Sequence, residues 1–213
     1  MDTIISKYKS IPYGELSWCP NEDIIYQTDM NCSVKYDEQY YENYVKMKNT
    51  EIANKLNEGR IKITEKYCES ILDIGIGSGE FINHCKIKAY GYDINQVAVK
   101  WLKDKSIFVD PYEFMPDLDG VSFWDAIEHI PNPSAILSCF KSKQFVFISV
   151  PIFSDVLKVR KSKHYKPNEH YYYFSAKGLI KFMQDSNFNI LEIDDYETRA
   201  GREDITTFVF QKN

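Results

Sequence analysis

Asp73, Gly75, Gly77 and Gly79 are the residues whose types and spacing point most directly to chemistry. They lie in Ile71-Leu72-Asp73-Ile74-Gly75-Ile76-Gly77-Ser78-Gly79-Glu80-Phe81, an apolar run that enters a glycine-rich turn and continues into a helical pattern. Glycines separated by single residues let backbone pass close to a ligand with no Cβ in the way, and the N–H groups opening the next helix face polar ligand atoms. The arrangement predicts a nucleotide-binding corner. A dinucleotide fingerprint G-x-G-x-x-G would need glycine at position 80. Glu80 stands there instead and would set a carboxylate against a pyrophosphate. A second acid, Asp93, ends the segment Ala89-Tyr90-Gly91-Tyr92-Asp93-Ile94-Asn95. Its two oxygens suit a ribose diol, but both kinds of nucleotide carry one.

The D-x-G-x-G-x-G pattern resembles the first motif of class I S-adenosylmethionine-dependent methyltransferases. Three further segments follow in that family's order. Val121-Ser122-Phe123-Trp124-Asp125-Ala126-Ile127-Glu128-His129-Ile130-Pro131-Asn132-Pro133 is similar to its fourth strand and the E-H-I-x-x-P stretch after it. Phe145 through Pro151 looks like its fifth strand, and His170 through Ser175 resembles its H-x-x-x-F-S lead into a late helix. The resemblance spans about residues 67–210. It implies an α/β, Rossmann-like fold with a mostly parallel seven-stranded sheet, an antiparallel C-terminal strand and S-adenosyl-L-methionine as cofactor.

By that resemblance Gly75, Gly77 and Gly79 approach the cofactor, while Asp73 organises the loop and the methionine ammonium. Asp93, with Ile94 beside it, grips the ribose. Capping a following helix is the alternative for Asp93, but Asn95 can serve there. Asp110 either accepts from the adenine amino group or opens the Asp110-Pro111 turn. Trp124 and Asp125 belong around the methionine moiety, with a core role as the alternative for Trp124. The implied reaction is in-line displacement at the sulfonium methyl, in which positioning supplies most of the acceleration and a general base serves only a protonated acceptor. His170 is the first choice for that base and His129 the second, since a neutral imidazole can take a proton near pH 7.

The acceptor is reached by elimination. Asp125-Ala126-Ile127-Glu128 lacks the two prolines and aromatic that amino-methylating DNA enzymes carry after the fourth strand, and no Pro-Cys pair offers a cytosine-C5 nucleophile. Net charge is −5 at pH 7, which disfavours wholesale nucleic-acid binding. Lys158, Arg160, Lys161, Lys163 and Lys166 nevertheless concentrate positive charge in nine positions. The stretch is either a solvated loop or an anion site. The expected substrate is a small metabolite or glycan, methylated on oxygen or nitrogen and anionic if Arg160, Lys161 and Lys163, with Tyr172, bind it. The alternatives are a nucleic-acid or protein acceptor and a non-catalytic cofactor-binding module.

These residues need a scaffold, and the pattern supplies one. Strand candidates at 71–74, 89–92, 107–109, 121–124 and 145–150 alternate with helical stretches near 79–86, 95–103, 133–140 and 176–186. Alternation of this kind predicts a parallel sheet covered on both faces. Two late β segments, 190–195 and 205–210, flank a turn at Gly201. Residues 1–35 read as irregular chain, punctuated by Pro12, Gly14 and Pro20 and rich in aromatics such as Tyr8, Tyr13, Trp18 and Tyr26. From Asp37 to Tyr67 one or two helices are expected, with Ile52, Leu56, Ile63 and Tyr67 on one face and a break at Gly59. The division is an N-terminal appendage and helical cap over 1–66 and one domain over 67–213.

A chain of 213 residues suffices for one full α/β domain. No apolar run approaches the roughly 20 residues that span a bilayer, and Asp2, Lys7 and Lys9 break up any signal-peptide pattern. A cytoplasmic protein without membrane contact is expected. Its five cysteines form no C-x-x-C pair. Grouping Cys19 and Cys32 with His84 or His129 as metal ligands ranks below ordinary burial, so no metal is expected.

Overall fold

The structure is a computed structural model that describes residues 9–29 and 34–213. Tyr8, Cys32 and the charged start of the chain lie outside the described residues. The chain begins with β1 (Ile11–Tyr13), β2 (Leu16–Cys19), β3 (Ile24–Gln27), α1 (Glu38–Lys46), α2 (Glu51–Glu65) and β4 (Ser70–Ile74). It continues through α3 (Glu80–His84), β5 (Lys88–Tyr92), α4 (Gln96–Asp104), β6 (Gly120–Trp124) and a 3-10 turn at Ile127–His129. The last elements are α5 (Pro133–Ser138), β7 (Phe145–Pro151), α6 (Val156–Lys161), β8 (Tyr172–Phe174), α7 (Ala176–Asp185), β9 (Phe188–Asp194), α8 (Tyr196–Arg199) and β10 (Ile205–Lys212).

The main sheet has the order β5-β4-β6-β7-β10-β9. β5, β4, β6 and β7 are parallel, and β10 runs antiparallel to both β7 and β9. β6 and β7 read as nearly unbroken apolar runs because helices bury both of their faces. Side-chain alternation then divides the core. Leu72, Phe123, Val146, Ile148 and Phe208 pack with Leu179, Phe182 and Met183 of α7, while Ile71, Phe147 and Val209 pack with Phe81, Ala98 and Leu102.

The sheet has six strands rather than the expected seven. Segment 107–109 meets β5 only as a bridge between Gly91 and Phe108. Hydrogen bonds from Gly91 N–H to the Ile107 carbonyl and from Val109 N–H to the Gly91 carbonyl flank it, each 3.0 Å. Pairing stops there because Asp110 opens a turn, its carbonyl accepting from Glu113 and Phe114, and Pro111 has no N–H to give.

Residues 11–27 are not irregular. They form an antiparallel meander that β8 completes, in the order β1-β2-β3-β8. Gly14, at φ 68°, begins the two-residue loop between Tyr13 and Leu16. Pro12 lies on the edge strand, where its missing N–H breaks no ladder. The small sheet joins the large one where Phe153 N–H donates to the Phe174 carbonyl at 2.9 Å.

The helical cap is two helices, with Asp37 and Thr50 side chains accepting from Tyr40 N–H and Ala53 N–H at their starts. Gly59 does not break α2. It makes room for Tyr196, since a Cβ there would lie 2.0 Å from the ring's Cε1. No helix among the described residues is long and apolar enough to cross a membrane.

The turn between β2 and β3 docks on α7. Ser175 Oγ donates to Asp23 Oδ2 at 2.8 Å, Lys181 Nζ donates to Glu22 Oε2 at 2.9 Å, and a Cβ on Gly178 would come within 2.3 Å of the Asp23 carbonyl oxygen. Gly178→Ala is therefore expected to destabilise the fold by about 1–3 kcal/mol, lowering Tm by at least about 2 °C. A melting curve that overlays wild type would show that the turn does not seat there.

Candidate active site

The glycine loop lies at the carboxyl ends of β4, β5 and β6, where the chain crosses from β4 to neighbours on opposite sides, the usual ligand crevice of such a sheet. Gly75, Gly77 and Gly79 have φ of 77°, 53° and 77°, the left-handed region that favours glycine. Space is short as well. A Cβ on Gly75 would lie 2.9 Å from Ala126 Cβ, and one on Gly79 would lie 2.7 Å from the Trp101 ring.

Asp93 braces this loop. Its carboxylate accepts from Asn95 N–H at 2.8 Å and from the backbone of Ile94, Gly77 and Ile76. Burial nevertheless raises its pKa above the ordinary carboxylate value. Capping of α4 falls to Asn95, whose Oδ1 accepts from Val97 N–H at 2.9 Å. The other end of the Asn95 amide donates to the Asp37 carbonyl at 2.9 Å, which ties α1 to the loop.

Above the loop is a cavity roofed by Tyr36, Tyr40, Tyr41 and Tyr44. Its walls are Tyr92, Asp93, Ile94 and Tyr112 on one side and Trp124, Asp125, His129, Ile130 and Pro131 on the other. Tyr40 OH donates to Glu169 Oε1 at 2.6 Å, and Tyr36 OH lies 3.3 Å from His129 Nδ1. A recess sharing Tyr44, Gly75, Gly77 and Trp124 continues toward Asp73, Asn57, Arg60 and Arg202. Sequence reading missed the tyrosines. The one signal was their repetition at 36, 40 and 44, a four-residue step along one helical face.

Asp125, at φ 53°, is the anchor of a charge network. Arg202 grips it with two nitrogens, at 2.6 and 2.9 Å, and Arg60 Nη2 reaches it at 3.2 Å. Both arginines also bind the buried Glu197, Arg60 at 2.7 and 3.1 Å and Arg202 at 2.7 Å. Burial alone would raise the Asp125 pKa, but Arg202 and Arg60 outweigh it and hold the carboxyl below the usual range. Arg60 also lies over the Trp124 ring, 5.1 Å from its centroid.

Asp73, Gly75, Gly77, Asp93, Ile94, Trp124, Asp125 and His129 thus line one continuous site. Other candidates lie elsewhere. Gly79 caps α3, and Asp110 spends its Oδ1 on Tyr112 N–H at 2.9 Å without lining the cavity. His170 is 3% exposed and packs edge-on behind His129, ring centroids 4.5 Å apart. Burial pushes its pKa down to about 2, and that of His129 to about 4 against the opposing pull of Glu169. Tyr172 is buried, with its hydroxyl donating to the Pro131 carbonyl at 2.7 Å. Arg160 donates to the Tyr13 carbonyl, Lys163 pairs with Glu203 at 3.7 Å, and neither they nor Lys161 line the cavity. Cys19 is buried and His84 Nδ1 pairs with the Glu80 carbonyl, while Cys32, the other cysteine of that grouping, lies outside the described residues.

A model of the methyltransferase-domain family matches residues 37–193. No curated protein matches significantly. Among solved structures, the chain is similar to a SAM-dependent methyltransferase from Archaeoglobus fulgidus, at 21% identity and TM-score 0.61, over 82% of this chain and 100% of that one. It is also similar to a SAM-dependent methyltransferase from Thermotoga maritima, at 14% identity and TM-score 0.59, over 83% and 97%. A third likeness is to the [4+2]-cyclase SpnF, at 15% identity and TM-score 0.54, over 75% and 80%. At these identities the likenesses show the fold alone.

Asp73 carries a pH signature. It is 1% exposed, and burial pushes its pKa up to about 7, although Ser122 Oγ donates to it at 2.7 Å and Arg60 opposes the shift. An unfolded aspartate titrates near 3.9. Between these values the folded chain holds a proton that the unfolded chain has lost, so this residue makes stability fall as pH rises from about 4 to about 7. His129 and His170 act in the opposite sense, so the check is the difference between denaturant titrations of ligand-free wild type and Asp73→Asn, in which wild type should lose stability relative to the variant as pH rises across that window. Parallel wild-type and variant profiles would place the Asp73 pKa near its ordinary value.

Proposed function

From the premise that the chain belongs to the methyltransferase-domain family, as a class I S-adenosylmethionine-dependent enzyme, we propose that it methylates a small molecule held beneath the tyrosines of α1. The reading rests on one observation: an aromatic roof closes directly over the glycine loop and Asp93.

Cofactor placement follows from the walls. Asp93 takes the ribose hydroxyls, Ile94 with Tyr92 and Tyr112 forms a slot for adenine, and Asp73 in the recess faces the methionine ammonium. Carboxylate burial favours this pairing, because a cation arriving beside Asp73 stabilises its ionised form. Asp110, which does not line the cavity, has no part in it.

The acceptor then occupies the space among Tyr36, Tyr40, His129, Ile130 and Pro131. Among the described residues no lysine or arginine lines that space, and the arginines of the recess are neutralised by Asp125 and Glu197. A neutral acceptor fits better than an anionic one, and a small acceptor better than a nucleic acid, which would need basic side chains at the site. The attacking atom is an oxygen or nitrogen whose lone pair aligns behind the sulfonium methyl. As the new bond forms, the carbon–sulfur pair stays on sulfur and its positive charge disappears. His129 lines this space and is neutral at pH 7. With its pKa near 4 it is a weak base, and positioning supplies most of the rate.

Asp93→Ala should weaken S-adenosylmethionine binding at least about tenfold by calorimetry, since hydrogen bonds to a charged group contribute roughly 1.5–3 kcal/mol. Unchanged affinity would sink the cofactor placement. Labelled cofactor incubated with separate metabolite, RNA, DNA and protein pools should mark the metabolite pool. Label confined to a polymer pool would transfer the reading to a macromolecular acceptor.

A further inference from the structure

Glu128 is buried, and among the described residues neither oxygen of its carboxylate has a hydrogen-bond partner apart from contact with its own backbone N–H. Such a group is costly to bury, ionised or not, because a protonated carboxyl would still lack an acceptor for its hydrogen. Two imidazoles share its surroundings. The ligand-capable atoms of Glu128, His129 and His170 all lie within 4.8 Å of one another. Tetrahedral zinc ligands sit about 3.3 Å apart, a spacing set by bonds of about 2 Å, so a small inward rotation of the side chains completes the set.

The backbone holds the three together. Glu128 and His129 are consecutive in the 3-10 turn, and His170 directly precedes Tyr171, whose N–H donates to the Glu128 carbonyl at 2.9 Å. Around His129, Glu169 Oε1 stands 3.9 Å from Nδ1 and Tyr36 OH 3.3 Å from it. A ligating histidine is commonly oriented by a carboxylate or hydroxyl on its other nitrogen. His129 also lines the cavity, so one side of the cluster opens toward the acceptor space.

We propose that Glu128, His129 and His170 bind one divalent transition-metal ion, with an open position toward the cavity. Two imidazoles and a carboxylate match the three-ligand set of catalytic zinc, and the unpartnered Glu128 carboxylate gains the cation it lacks. The sequence reading expected no metal, because the ligands come from a short turn and a segment far along the chain. In its catalytic consequence the proposal rests on the methyltransferase reading: the acceptor atom is a hydroxyl oxygen. Beside the ion that hydroxyl loses its proton to water, the oxygen bonds the methyl carbon, and the carbon–sulfur pair remains on a neutral thioether.

Metal-stripped full-length protein should be titrated with Zn²⁺ by calorimetry and with Co²⁺ by visible absorption. One ion per chain and a cobalt ligand-field spectrum are expected. The near-isosteric Glu128→Gln should weaken binding by more than the about 10–100-fold that loss of an outer-shell partner costs, while S-adenosylmethionine affinity stays at the wild-type value. Zn²⁺ binding that is equal in wild type and variant overturns the site, and so does the absence of a cobalt spectrum from wild type, whether or not the variant folds. Cofactor affinity is the separate readout: metal binding without cofactor binding leaves the site standing and removes the methyltransferase assignment of this pocket.

Discussion

The ion network at Asp125 is the interaction on which the working edge of the molecule depends. Its four groups come from α2, the end of β6, α8 and the loop beyond α8, and two positive charges meet two negative ones inside the protein. Each charge touches two of opposite sign, and Glu197 is buried while the other three are partly exposed, so removing one member leaves the rest paired but with unequal charge. The set therefore holds α2 against the sheet. α1, whose tyrosines close the cavity, rests against α4, and Asn95 fastens the start of α1 to the same loop that Asp93 braces. Roof and floor are thereby coupled by polar contacts as well as through Tyr41, which packs on the apolar cluster of Ile76, Phe81 and Trp124.

Much of the parallel sheet was legible because its strands carry two signals at once, continuous apolar burial and a turn residue at the carboxyl end. The glycine loop, Asp93, Trp124, Asp125 and His129 fall at those ends, and strand alternation alone brings them together. The meander at residues 11–27 was not legible. Its strands have three or four residues, too few for a period, and the partner that completes their sheet is β8. The same limit explains His170. A tyrosine run after it suggested a pocket lining, whereas pairing of that run with β3 carries the histidine inward.

Charge was readable in sign but not in partnership. Lys158 to Lys166 looks like an anion site until the chain folds and supplies distant partners, the Tyr13 carbonyl for Arg160 and Glu203 for Lys163, beside the local pair of Lys166 with Glu169. Arg60, Arg202 and Glu197 show the converse. No local pattern marks them, since Arg60 and Glu197 stand 137 positions apart. Elements that a sequence announces are those whose physics is local. A site assembled from side chains of distant elements becomes visible only with the fold.

The meander also orders events in time. Asp23 and Ser175 touch across 152 positions, so the small sheet acquires its last strand only after the whole nucleotide-binding half has been synthesised. Loop entropy makes that wait inexpensive at equilibrium, since each doubling of length adds only about 0.6 kcal/mol. Its effect is on rate, because long-range strand pairing is slow. During synthesis the glycine loop can settle around β4 and β5 while β3 keeps one edge unpaired. Until β8 emerges, that edge is exposed to pairing with other chains, which makes the nascent polypeptide, rather than the finished protein, the species most in need of a chaperone.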